Sequence, residues 1–285
     1  MKRQFLLSSL ILLIYTSCEK VLEVELPQEE PLITINSIFN ADSILTVNLT
    51  KSRPSGSRSN NFEKIENAEV ELYKNNLKVA PLKYDGKGIY RLTSLVAVEP
   101  GAFYSVRVNS PGFKTVVAEE IMPTKPFISS FNKLDLTETD FTYREFNLTL
   151  TLEDKPESNF FLIKAYLVTP GNKSHFEIQM NNVLSQFSPT NVSGSYMFTD
   201  NLFNGKAVKL ELTGSLFITD VPHSIIIEVA SISKNYYDYE YSVKKQLNSE
   251  PLFGQEYIPI PNNVKNGLGL FGTLNSSSFS FQVKK

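Results

Sequence analysis

The sequence has no tryptophan, one cysteine and two histidines in 285 residues. Each scarcity removes a kind of chemistry. With a single thiol no internal disulfide can form, so stability has to come from core burial. His175, His223 and one cysteine are too few for a zinc site of three or four nitrogen and sulfur ligands. No G-x-S-x-G elbow is present, and Gly194-Ser195 and Gly214-Ser215 read as turns beside strands. The missing tryptophan weakens a carbohydrate-binding reading, because such sandwiches usually seat a sugar on flat aromatic platforms. Charge of one sign is also lacking: 28 Lys and Arg stand against 30 Asp and Glu. That balance gives no basic footprint for nucleic acid or anionic lipid head groups.

Long apolar runs are absent except at the start, where Phe5 to Ile14 follows Lys2 and Arg3 and is interrupted only by Ser8 and Ser9. Roughly ten apolar residues make about 15 Å of helix, half of the ~30 Å hydrocarbon core, so the segment reads as a signal sequence and not a membrane span. It ends Tyr15-Thr16-Ser17-Cys18, small residues leading into the only cysteine. Tyr15 departs from the usual aliphatic residue, and the position of Cys18 still marks it as the lipid-carrying residue of a lipoprotein, with residues 1–17 removed. Three acyl chains on one cysteine anchor a protein stably, since two membrane signals already suffice. Loss of Lys2 and Arg3 turns the formal net charge of −2 into −4 for the mature chain.

What is present is strand grammar. Residues 18–31 are acidic and carry Pro27 and Pro31, and read as a tether. From Leu32 apolar and polar residues alternate, as in Leu45 to Thr50, Glu69 to Leu72 and Tyr104 to Val108, with turn-rich stretches between them. About seven short strands over residues 32–121 predict an immunoglobulin-like sandwich, and GIYRLTS and PGAFYSVRVNSPGFKT are similar to the strand pattern of transthyretin-like domains. Residues 122–126 carry Pro123 and Pro126, which remove ladder donors and set a domain boundary. Residues 127–285 repeat the grammar with longer loops. The expected fold is therefore all-β: two tandem β-sandwich domains, the second with one inserted amphipathic helix near residues 234–247. Ser233 would be its N-cap, and lysines gather at its end.

The set FTDNLFNGK, SKNYYDYEYS and NNVKNGLGLFG, following a lipoprotein signal and a sandwich that ends at prolines, resembles the Bacteroidota lipoproteins grouped as domain-of-unknown-function family 4249. The resemblance covers essentially the whole mature chain. It implies an outer-membrane lipoprotein of unknown activity, often encoded beside TonB-dependent receptors, with no catalytic residue to carry over.

Candidate chemistry is thin. Asp200-Asn201-Leu202-Phe203-Asn204-Gly205 is similar to a calcium loop, but Leu202 stands where an oxygen ligand is required, so it reads as a turn. Gly267 to Gly272 lacks the lysine of a phosphate loop and reads as a site of close backbone packing. Asp42-Ser43-Ile44 fits a short O-glycosylation pattern at Ser43, of the kind expected about once by chance. Tyr236, Tyr237, Tyr239 and Tyr241 cannot all face inward at 100° per residue, so some rings are expected to face a partner, Tyr239 among them. Core packing is the competing role for the same four residues. The expected function is a non-enzymatic binding or accessory lipoprotein of the outer membrane, working with a TonB-dependent transporter and using no cofactor. A structural adhesin or envelope-assembly component, and last a carboxylate-based glycan hydrolase, are the alternatives.

Overall fold

The computed structural model describes residues 30–54, 61–138, 143–188, 194–217, 223–248 and 258–283, and Cys18 lies outside them. The first half forms β1 (Ile33–Asn40), β2 (Thr46–Lys51), β3 (Glu69–Lys74), β4 (Leu77–Gly86), β5 (Ile89–Arg91), β6 (Phe103–Asn109) and β7 (Val116–Ile121). Period-two alternation makes these strands: Ile33, Ile35 and Phe39 of β1, Val47 and Leu49 of β2, and Tyr104, Val106 and Val108 of β6 enter one core. Strands β1, β2 and β5 make one layer and β3, β6 and β7 the other. The ten-residue β4 serves both, pairing with β3 up to Leu82 and with β5 from Lys83, so it turns the corner of the sandwich. At the centre the hydroxyl of Tyr90 accepts from the Ala68 N–H at 2.9 Å and donates to the Ile65 carbonyl at 3.2 Å, which makes its burial tolerable.

The second half forms β8 (Phe127–Glu138), β9 (Tyr143–Glu153), β10 (Phe160–Thr169), β11 (Asn172–His175), β12 (Gln179–Met180), β13 (Tyr196–Thr199), β14 (Val208–Phe217) and β15 (His223–Ile232). A helix, α1 (Lys234–Asn248), follows, and then β16 (Val264–Lys265) and β17 (Leu268–Val283). The order β12-β14-β9-β8 makes one layer, and β11-β10-β15-β17 faces it, with β13 beside β10. Leu148, Leu150 and Leu152 of β9 meet Ile163, Ile225, Ile227 and Val229 between the layers.

The division at the prolines is not how the sheets are partitioned. Strand β17 is sixteen residues long: Leu268–Leu274 runs parallel to β1, and Leu274–Val283 runs antiparallel to β15. Residues expected in the second domain therefore complete the first, with Val264 and Phe271 inside its core and β16 paired to β7. The physical reason is glycine. A Cβ at Gly269, whose φ is +113°, would overlap the Ile35 carbonyl, and one at Gly267 would lie 2.6 Å from the Ile33 carbonyl oxygen. A backbone can approach β1 this closely only without side chains.

The proline segment is likewise no free hinge. Alternate residues of β17 hold carbonyls in and just before that segment: Thr273 Oγ1 donates to Ile121 at 2.6 Å, Asn275 Nδ2 to Pro123 at 3.1 Å and Ser277 Oγ to Pro126 at 3.2 Å. Asn263 adds a two-point clamp, its amide donating to the Phe271 carbonyl at 2.7 Å and accepting the Phe271 N–H at 3.0 Å.

Candidate docking site

Helix α1 starts where β15 ends. Ser233 carries the change of direction: its carbonyl accepts the Tyr237 N–H at 3.1 Å, as a helix start requires. Its hydroxyl is engaged with β17. It accepts the Thr273 N–H at 3.2 Å, while its own N–H donates to the Thr273 carbonyl at 2.9 Å, so the helix start is bolted to β17. Glu120 of β7 supplies the anion near this N-terminus and accepts from Asn235 Nδ2 at 2.8 Å. Burial holds the Glu120 carboxyl above the usual range, against hydrogen bonds from Asn235, the Ile121 N–H and Ser233 that pull it down.

The four tyrosines divide by helical position. Tyr236 is 8% exposed and packs in a third cluster with Leu162, Ile232, Leu270 and Leu274, over the joint between the two sandwiches. Gly272 makes room for it, because a Cβ there would lie 2.9 Å from the Tyr236 Cβ. Tyr239 leans on the same cluster at its edge and is not the outward ring that the sequence suggested. The reason is register: three residues apart, Tyr236 and Tyr239 share one side of the helix, whereas Tyr237 and Tyr241, four apart, make the next ridge. Tyr237 packs between Phe160, at 5.2 Å, and Tyr241, stacked at 6.3 Å and 15°; Tyr241 is 41% exposed. Tyr236 is therefore buried, Tyr237 and Tyr239 are half-buried against the cluster, and Tyr241 is the ring of the four that reaches the surface.

Opposite this ridge lies a short 3-10 helix, Val183–Phe187, whose start is capped by Asn182 Oδ1 accepting the Leu184 N–H at 3.1 Å. Leu184 is buried and pins it, leaving Phe187 59% exposed. Lys244 of α1 donates to the Ser188 carbonyl, and Ser188 Oγ accepts the Met197 N–H at 2.9 Å, so helix, 3-10 turn and β13 brace one another. A third wall is the turn after β13. Its start is fixed by Asp200, which is buried and accepts the Asn159 N–H at 2.7 Å. Phe203 plugs the core behind it, and Leu202 is left 62% exposed. The calcium-like segment is thus a chain of turns, and its out-of-place leucine points into solvent.

Together these walls line a groove of about 1060 Å³, with Ile258 and Pro259 also at its edge. Its apolar surface comes from Tyr237, Tyr241, Phe187 and Leu202, and its polar groups include Thr199, Asn201 and Ser242. Phe187 and Leu202 were not picked out by sequence reasoning. The available signals were the Asn182 cap ahead of an apolar pair and the misfit leucine in a polar turn.

Other candidates resolve into structure. His175 ends β11 and His223 begins β15, and no group of three or more His, Cys, Asp or Glu among the described residues is arranged to hold a metal ion. His175 Nε2 lies 2.8 Å from Ser195 Oγ, a pairing that spacing did not suggest. Ser195 is 3% exposed, out of reach of a substrate carbonyl, and burial followed by the Lys164 charge pushes His175 below its ordinary range. Ser43 sits exposed in the β1–β2 turn, where its N–H donates to the Asn40 carbonyl at 3.1 Å. Among the described residues no helix is long and apolar enough to cross a membrane.

The architecture defines an all-β protein: two sandwiches that share one strand, with a helix laid across the joint. The chain belongs to the family described as domain of unknown function DUF4249, which matches it over residues 19–280. No curated protein matches it. Among solved structures it is similar to a Corynebacterium diphtheriae protein described as membrane anchored, at 10% identity over 73% of this chain and 55% of that one, with a TM-score of 0.23. It spans about half of that protein's length. It is also similar to the collagen-binding domain of the Erysipelothrix rhusiopathiae surface protein RspB, at 11% identity over 87% of this chain and 95% of that one, TM-score 0.21. The Enterococcus faecalis MSCRAMM ACE gives 8% identity over 92% and 97%, TM-score 0.22. At these scores the likenesses carry no argument about function.

Proposed function

We propose that this chain is a lipoprotein held on the outer membrane by lipid on Cys18 and that it acts as a non-enzymatic accessory, docking through its groove onto a membrane partner of the TonB-dependent receptor class. The observation that carries this reading is convergence. FTDNLFNGK and SKNYYDYEYS, about thirty residues apart in sequence, form facing walls of one groove and expose Leu202 and Tyr241 across it. Large apolar and aromatic side chains held on rigid elements and left in water are what a binding anchor needs. The third segment, NNVKNGLGLFG, lies under the helix at Gly272 and Leu270, which pack against Tyr236.

The test is co-purification from native membranes. Wild-type protein should bring down a membrane partner, and a Tyr241→Ala variant that melts like wild type should lose it. Retention of every partner at full yield by that variant, or no membrane partner at all, defeats the docking role. Mass spectrometry of the mature N-terminus checks the anchor: an unmodified Cys18 or cleavage elsewhere removes it. The same spectra report whether Ser43 bears an O-linked sugar.

A further inference from the structure

The charge around the groove is opposite to the charge of the chain. The mature protein carries −4, yet among the described residues the charged groups lining the groove are Asp238, Lys244 and Lys245. Asp238 is already neutralised by an ion pair with Lys234, one turn earlier on the helix. Neither Lys244 nor Lys245 has a carboxylate partner among the described residues. Lys244 Nζ is turned onto the Ser188 carbonyl, and Lys245 Nζ lies 4.8 Å from the centre of the Tyr241 ring. Two ammonium groups therefore border an exposed apolar floor on a protein that is otherwise acidic. A local inversion of sign beside an apolar surface selects and steers an oppositely charged partner.

The shape narrows the class. About 1060 Å³ is at the upper limit of the ~300–1,000 Å³ of small-molecule sites. Gln186, Thr199, Asn201 and Ser242 line it between the apolar groups and offer partners for main-chain amides and carbonyls. A lipid surface is met by a convex apolar face with many cations, not by a concave one with two. We infer, building on the docking role above, that the occupant is an extended segment of a partner protein that sets an aromatic or aliphatic side chain between Tyr241 and Leu202 and carries Asp or Glu next to it, opposite Lys244 and Lys245.

A random decapeptide library displayed on phage, panned on the full mature chain, tests this. Wild type should enrich peptides that pair an aromatic or aliphatic residue with Asp or Glu. The best of them, made synthetically, should bind about tenfold more weakly to Lys244→Glu/Lys245→Glu and weaken with added salt. The doubly reversed protein should in turn enrich Lys and Arg peptides. Because Lys244 also braces Ser188, Lys245→Glu alone is the cleaner variant should the double one unfold, and it should lose severalfold. Neutral or basic enriched peptides, no enrichment, or binding indifferent to charge reversal overturns the inference. So does a charge-dependent loss that appears only on phosphatidylglycerol vesicles. The two ideas fail separately: a membrane partner lost with Tyr241→Ala but kept by the lysine variants leaves docking standing and removes the acidic segment.

Discussion

The two sandwiches receive the same last strand in different ways. The first takes Leu268–Leu274 parallel to β1, through a stretch with glycine at 267, 269 and 272, and the contact is backbone against backbone. The second takes Leu274–Val283 antiparallel to β15 through alternating serine and phenylalanine, with Phe279 stacked on Phe131 at 4.5 Å and Phe281 edge-on to Phe146 at 5.5 Å. One half of β17 comes close to its neighbour where side chains are missing and adds Phe271 to the first core, and the other is held by the half-buried phenylalanines it lays on the second. The helix sits where the two regimes meet, and its exposed ridge is rigid because both sandwiches hold its base.

The sharpest way to break this comparison is to take β17 away from the first sandwich. Residues 30–126 alone lose Val264 and Phe271 from the core and leave the β1 edge unpaired. We expect no cooperative thermal transition by circular dichroism and no dispersed proton spectrum. A fragment that melts cooperatively would mean that the first sandwich is complete in itself and that β17 only leans on it.

Within the intact chain, Gly269→Val attacks the parallel half directly. A side chain there meets the Ile35 carbonyl in a backbone conformation that suits glycine, and the expected loss is about 4 kcal/mol or more in urea unfolding. Gly112→Ala is the control, since Gly112 also has positive φ, +82°, but nothing lies within 4 Å of the new Cβ. Its cost should stay near 1–2 kcal/mol. Equal losses at the two positions would show that φ alone matters and close approach does not.

This contrast also explains what could be read in the sequence. Period-two alternation declares strands: it marks β2, β3 and β6 within a count of about seven for residues 32–121, and the cores of β9, β10, β13, β14 and β15 and the end of β17 from Ser278. It is silent where glycine replaces the inward residue, so Gly267 to Gly272 reads as close backbone packing without showing that the partner is β1, and the domain boundary falls at the prolines. Strand β8, with register shifts at Ile128/Ser130 and Leu134/Thr137, breaks the same period and was missed. The helix was legible from its 3.6-residue stripe, but which tyrosine faces out depends on the partner beneath it, and that partner, Gly272, is 36 residues away from Tyr236. The groove's far walls were illegible for the same reason, because Phe187 and Leu202 gain meaning only when β13 brings them opposite α1.

A smaller effect separates the packing tyrosines from the exposed one. Tyr236→Ala should cost about 3 kcal/mol by opening a cavity over Gly272 and should speed amide exchange at Ser233 and Thr273. Tyr241→Ala, with its ring in solvent, should stay within about 0.5 kcal/mol of wild type. A large loss from Tyr241→Ala would make the groove ridge part of the core.

The smallest effect concerns the charge under the helix. Glu240 lies one turn beyond Tyr236, and burial raises its carboxyl above the usual range, with the Lys164 ammonium only partly offsetting this. Burial with the Glu240 charge nearby likewise raises the Tyr236 hydroxyl, and burial beside Glu228 raises Tyr166 to about 12. A carboxyl raised in the folded state contributes stability that is fully present below its unfolded value and is lost as pH rises through its folded value. The ionised Glu240 therefore weakens the helix seat at neutral pH. Glu240→Gln, which keeps the shape without the charge, should melt on the order of 1–2 °C above wild type at pH 7.5. The two should converge near pH 4, where both side chains are neutral. Glu120, also raised by burial, acts in the same direction in both proteins, and Glu71 and Glu99, lowered by hydrogen bonds from Lys78 and Lys74, act in the opposite one. Those contributions cancel in the difference between variant and wild type. A Gln variant that is less stable at pH 7.5 would mean that attraction to Lys164 outweighs the burial of the charge and that the helix is held to the sheet by that pair.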